Sequence, residues 1–185
     1  MRAVFNIFLS VLIVIISGLG CSRTTPKEII LADFETDGEL NQLYWSCHTL
    51  YSLSNDHATH GSKSLKMELY PADYPGIVLT PAVIDWQDYK ELSFDVYNPL
   101  QQQVQITVRI DDRKKYPEYQ DRYNKSFVLQ SGSNRFNIPL VTLATSGTSR
   151  YLDLRHIYRL FIFSKRPQNK ISLYVDSIKI SAEKI

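Results

Sequence analysis

Cysteine is nearly missing: Cys21 and Cys47 are the two in 185 residues. Neither a disulfide network nor a thiolate metal cage can organise the fold, and the two lack metal-ligand spacing to each other. Histidine is scarce as well, and His48, His57, His60 and His156 show no HExxH or comparable spacing. There is no Gly-x-Ser-x-Gly elbow and no glycine-rich phosphate loop, so the common hydrolase and nucleotide-binding signatures are absent. Charge of one sign is not in excess either. With 21 basic and 19 acidic residues the net charge is +2, which gives no bulk attraction to nucleic acid, and no nucleic-acid partner is expected. No window carries a long 3.6-residue period, and there is no internal repeat or low-complexity segment.

What is present begins at the N-terminus. Met1-Arg2 supplies a minimal positive end, Val4 to Ile16 is apolar except for Asn6 and Ser10, and Ser17-Gly18-Leu19-Gly20 places small residues before Cys21. The stretch resembles a bacterial lipoprotein signal, which implies lipidation at Cys21 and anchoring to a membrane. It departs from the usual pattern in having Gly18 three residues before the cysteine and leucine at 19. A cleaved secretory signal and an uncleaved anchor helix are the alternatives, and all three export the rest of the chain. Ser22, with no aspartate after the cysteine, fits the outer membrane. The expected organisation is a signal peptide over 1–20, a polar tether over 21–28 and one domain over 29–185. Cys47 is then an unpaired thiol, expected as a small buried hydrophobe.

The domain reads as β nearly throughout. Alternation or short apolar runs mark strands at 29–34, 64–70, 76–80, 92–97, 104–111, 126–129, 135–140, 158–164 and 171–180, with helical turns at most at 140–145 and 152–157. Nine short strands with polar turns predict an all-β, antiparallel sandwich of the jelly-roll type. In the last strand Leu173 and Val175 put the apolar face on odd numbers, whereas Ile178 and Ile180 put it on even ones. That slip predicts a bulge near Asp176 and Ser177, which would aim the Asp176 carboxylate inward.

Twelve of the 22 aromatic residues are tyrosines, the aromatic of half-wet surfaces. The strand from Val104 alternates strictly, with Gln105, Thr107, Arg109 and Asp111 opposite the apolar set. It opens into a polar loop bearing Tyr116, Tyr119 and Tyr123. Strand 92–97 places Ser93, Asp95 and Tyr97 outward in the same way. Paired as neighbours, the two strands would present one face carrying Asp95, Tyr97, Arg109 and Asp111. Such a face is either plain solvated surface or a binding groove, and Arg109 and Asp111 could merely neutralise each other as a surface pair.

Asp33-Phe34-Glu35, His60-Gly61-Ser62-Lys63-Ser64-Leu65-Lys66-Met67 and Tyr174-Val175-Asp176-Ser177-Ile178 occur in that order, with Asp85-Trp86 and Leu92 to Asn98 between them. The set resembles the signature of the carbohydrate-binding-module, galactose-binding-like jelly rolls, over nearly all of the chain after the tether. The resemblance implies a structural calcium site built from Glu35, with Asp33 as a lesser candidate, the turn at Gly61, Ser62 and Lys63, and Asp176. Calcium takes several hard oxygens from separate segments; the alternative is that these acids pair with lysines or face water.

Sugar recognition needs flat aromatic faces against pyranose rings and planar polar groups for vicinal hydroxyls. Tyr116, Tyr119 and Tyr123 offer the first, and Arg109, Asp111 and Asp95 the second; packing of the tyrosines onto the sandwich rim is the plainer reading. Trp45 and Trp86 are weaker platforms, Trp86 being expected in the core. Asp111, Asp112, Glu118 and Asp121 supply carboxylates enough for a two-acid glycosidase, but abundance in a charged loop is not the pair of differing environments that mechanism needs. The expected function is a lipid-anchored, non-catalytic carbohydrate-binding protein of the cell envelope. A module docking another envelope protein through the same face is the alternative, and a hydrolase comes third.

Overall fold

The computed structural model describes residues 26–44 and 47–183. The signal peptide, the lipidation site at Cys21, most of the tether and Trp45 lie outside these residues. Ten strands follow in order: β1 (Glu28–Ala32), β2 (Thr49–Ser54), β3 (Ser64–Leu69), β4 (Gly76–Leu79), β5 (Glu91–Asn98), β6 (Val104–Asp111), β7 (Tyr123–Leu129), β8 (Gly132–Pro139), β9 (Arg159–Phe163) and β10 (Ile171–Ser181). Every expected strand is found, and β2 is an addition. Thr49 is buried and Tyr51 and Leu53 are partly covered, but Leu50 on the other face is 60% exposed, so the apolar run hid the alternation.

The strands form two antiparallel sheets, as a jelly roll requires. One runs β2-β3-β10-β5-β8, with β1 beside the far half of β10; the other runs β4-β9-β6-β7. The eleven-residue β10 is long enough to take two neighbours along one side, β3 against Ile171 to Val175 and β1 against Ile178 to Ser181. Leu92, Phe94, Val96, Leu173, Val175, Ile178 and Ile180 of the first sheet meet Ile106, Val108, Ile110, Leu160 and Ile162 of the second in one buried cluster. Phe136, packed against Phe94 and Phe127 at ring distances of 5.2 and 4.9 Å, belongs to the β8 and β7 margin of that cluster. Trp86 is fully buried and its indole N–H donates to the Val83 carbonyl at 2.8 Å, which satisfies its one polar atom.

The bulge expected in β10 is present. Pairing with β5 slips between Asp176 and Lys179, and Ser177 takes a left-handed φ of 53°. The bulge turns Asp176 into the loop before β3, where Oδ2 accepts N–H bonds from Thr59 at 2.6 Å and His60 at 2.9 Å, and the Thr59 hydroxyl at 3.2 Å. Glu35 holds the next turn, accepting the N–H groups of Ser62 and Lys63 at 2.8 and 2.7 Å and the Ser62 hydroxyl at 2.9 Å. Gly61 between them has a φ of 65°, and a Cβ there would stand 2.4 Å from the Glu35 carboxyl carbon, so only glycine fits. Glu39 does the same for the end of β1, accepting from the N–H groups of Asp33 and Phe34. Phe34 thereby keeps a left-handed φ of 57° while its ring is fully buried.

Replacing Asp176 by alanine strips three loop donors of their buried acceptor and should lower the unfolding free energy by roughly 3 kcal/mol in a urea titration. An unchanged midpoint would show that the loop over 55–63 holds itself.

Candidate functional site

The outward face of the four-stranded sheet is built row by row from its registers. Val78, Phe161, Arg109 and Asn124 lie across one row, and Gly76, Phe163, Thr107 and Ser126 across the next. Phe161, Phe163 and Val78 form a second buried apolar cluster separate from the core. Arg109 lies on this floor, its guanidinium carbon 5.2 Å from the Phe161 ring and 5.1 Å from Phe163, with Tyr119 covering it at 5.8 Å. An arginine over aromatic faces is held by the ring quadrupoles and by dispersion. Its Nε donates to Asn124 Oδ1 at 2.9 Å. Burial, and then the charge of Arg122, lower its pKa.

Arg159 and Asp111 stand opposite each other in the adjoining row and make a fully buried ion pair, Nε to Oδ2 at 2.9 Å. The other guanidinium nitrogens of Arg159 donate to the carbonyls of Lys114 at 3.0 Å and Arg113 at 2.6 Å. The Tyr116 ring lies 4.2 Å from its guanidinium carbon, and the Tyr116 hydroxyl meets that of Tyr44 at 3.2 Å. One arginine thus ties the strand to the loop that follows it. Burial pushes the Asp111 carboxyl above its ordinary value against the pull of Arg159. Asp112, pointing the other way, is gripped by Arg150 through two bonds of 2.6 and 3.0 Å and by the Asp153 N–H. Burial works to raise the Asp112 carboxyl, but these donors outweigh it and hold the group below its ordinary value.

Several expectations are corrected here. Asp95 and Tyr97 do not share a face with Arg109 and Asp111, because β5 and β6 belong to different sheets and each points outward from its own. Asp95 instead makes a bidentate pair with Arg135, at 2.7 and 2.8 Å, beside a cavity of about 280 Å³. Tyr97 lines that cavity and stacks on His57 at 3.5 Å. Tyr123 is not a loop residue: β7 begins there, opposite Ile110, and its ring enters the core, where burial pushes its hydroxyl up to about 12. Arg109 and Asp111 do not neutralise each other, since Arg159 takes the aspartate. Trp86 is in the core as expected, and Cys47 is half-buried.

The acids expected at the calcium site are engaged by the chain itself. Glu35 and Asp176 face backbone N–H groups, Ser62 gives its hydroxyl to Glu35, and Asp33 meets the His60 ring at 3.1 Å. The Lys63 ammonium donates to the Glu35 carbonyl at 3.1 Å. Among the described residues no three acid, histidine or cysteine side chains converge on a metal position.

Tyr44, Arg159, Phe161 and Phe163 were not foreseen as parts of this face. Phe161 and Phe163 alternate with Leu160 and Ile162 in an unbroken apolar run, which gives no sign that one side faces away from the core. Tyr44 lies 72 positions from Tyr116, the residue it meets, and no local pattern marks it. A 10 mM chelator should leave the melting temperature unchanged, because a metal bound by the native state alone would raise it; a fall of several degrees would restore the calcium site. Arg159→Ala leaves Asp111 buried and unpaired and frees three loop residues, and should cost about 3–5 kcal/mol in denaturant titration.

No family model and no curated protein matches the sequence. Solved structures match its fold. A family 11 carbohydrate-binding module from Clostridium thermocellum, determined in complex with a β-1,3-1,4-mixed-linked tetrasaccharide, superposes with a TM-score of 0.66 at 17% identity, over 85% of this chain and 97% of that one. An exo-β-agarase gives 0.69 at 17% identity over 84% of this chain, which spans only 26% of the enzyme. The N-terminal part of a xylanase 10B from Clostridium thermocellum, with a family 22 module, gives 0.57 at 8% identity over 83% of this chain and 28% of that one. The chain has the β-sandwich fold of carbohydrate-binding modules.

Proposed function

We propose that this domain is a non-catalytic carbohydrate-binding module that takes a glycan on the outward face of the four-stranded sheet and is held at a bacterial membrane, the outer one, by a lipid on Cys21. The observation that carries the reading is the ring of half-exposed tyrosines over buried arginines. Tyr44, Tyr116 and Tyr119 are 50, 61 and 49% exposed, and each has one edge fixed by a named partner. Fixed aromatic faces beside charged hydrogen-bond donors are what sugar rings require, and fixing them beforehand reduces the ordering cost of binding. The module architecture of the solved neighbours supports the same reading.

A binding role suits the acids better than catalysis does. Asp111, Asp112 and Asp121 are each paired with an arginine, which commits their carboxyl groups to structural contacts. A two-acid glycosidase needs one carboxyl kept protonated and both facing the substrate.

A glycan array probed with the domain lacking residues 1–24 tests the reading. Binding should appear, and Tyr116→Ala and Tyr119→Ala should each weaken it about five- to tenfold, the value of a lost stacking face. Tyr97→Phe on the opposite sheet should leave it unchanged. A blank array, with an envelope protein captured by cross-linking through Tyr116, would replace this reading by protein docking.

A further inference from the structure

The donors and acceptors on the four-stranded face are strongly unequal. Arg109, Arg122 and Arg159 bring three guanidinium groups to it, and Asp111 is the carboxylate among them. The side-chain acceptors beside these cations are engaged. Asn124 Oδ1 takes Arg109 Nε, the Thr107 and Ser126 hydroxyls pair with each other at 3.0 Å, and Asp111 Oδ2 takes Arg159. Asp111 Oδ1 is buried without a partner and closed to solvent. Donors are left over. Among the described residues Arg109 makes one side-chain hydrogen bond and no ion pair, although it is only 8% exposed. Arg122 spends Nε and one terminal nitrogen on the Pro117 carbonyl. The loop over 112–122 carries Arg113, Lys114, Lys115 and Arg122 against Asp112, Glu118 and Asp121, a small net positive balance.

A neutral sugar presents hydroxyls that both donate and accept, so a site with a mixture of donors and acceptors suits it. Beside Arg109 the balance is toward donors, because Asn124 Oδ1 and the Thr107 and Ser126 hydroxyls are engaged. An ionised oxyanion only accepts, and a guanidinium receives it through two parallel bonds. Building on the glycan-binding reading above, we infer that the ligand of this face is an acidic polysaccharide whose carboxylate or sulfate ester is received by Arg109, with Tyr116 and Tyr119 against the flanking sugar rings. Burial of a cation without a carboxylate costs stability; an anionic ligand offsets that cost on binding, and affinity and charge selectivity come from one group.

The test is isothermal titration of the full-length chain, in mild detergent, against matched pairs: polygalacturonate and its methyl ester for the carboxylate, dextran sulfate and dextran for the sulfate, and a neutral mixed-linkage β-glucan. An acidic member should bind at least tenfold more tightly than its neutral counterpart, weaken about tenfold or more between 50 and 500 mM salt, and lose at least tenfold in Arg109→Gln, with Arg109→Lys intermediate. The pair that responds tells uronate from sulfate. Binding of the neutral glucan alone, or equal binding within each pair, overturns the inference and leaves the glycan-binding reading standing. No binding to any of the five overturns both. If Arg109→Gln does not fold, the salt dependence of the unaltered chain still decides, because a neutral ligand would show none.

Discussion

The buried pair between Asp111 and Arg159 is the constraint on which the functional face depends. It sits at the end of β6, where the chain leaves the sheet, and it brings two charges out of water. Such a pair is a poor source of stability when weighed against apolar packing, so its value must lie in what it positions. Arg159 has five donors in a rigid fork. With one on Asp111 and two more on the carbonyls of residues 113 and 114, it fixes the first turn of the loop, and its flat face seats Tyr116. Lysine could not do this, because an ammonium is a point charge without a planar face.

The alternation of β6 makes the arrangement possible. Ile106, Val108 and Ile110 anchor the strand in the core, so Thr107, Arg109 and Asp111 are obliged to face away from it. On β9 the same rule turns Phe161 and Phe163 outward, where burial demands a cover. The loop over 112–122 and Tyr74, whose ring meets Phe163 edge-on at 5.8 Å, supply part of it. An apolar floor outside the core, a cation lying on it and tyrosines above it are consequences of two strand registers and one ion pair.

Much of the fold was legible because its signals are local. Strand positions follow from period-two patterning, and the β10 bulge follows from a phase slip between Val175 and Ile178 that no straight strand can accommodate. The site was less legible because it depends on which sheet each strand joins. Strands β5 and β6 look alike in sequence, both with acids and tyrosine or arginine opposite an apolar stripe. Nothing within either segment says that β10 and β8 flank one while β9 and β7 flank the other. Arg109 and Asp111 do share one face but have other neighbours than expected, and Asp95 and Tyr97 fell on the far side of the sandwich.

The turn expected to hold calcium shows the same limit in another form. The order of Asp33-Phe34-Glu35, Gly61-Ser62-Lys63 and Asp176 does bring these segments together, so the resemblance located the junction correctly. The chemistry at the junction is set by which backbone atoms face inward. Here they are N–H groups, with the Lys63 ammonium on the Glu35 carbonyl. A carboxylate that accepts two backbone N–H bonds is held ionised, as the lowered pKa of Glu35 reflects. The same acids act as acceptors for the turn, and the segment after β1, the loop before β3 and β10 are tied together through these hydrogen bonds.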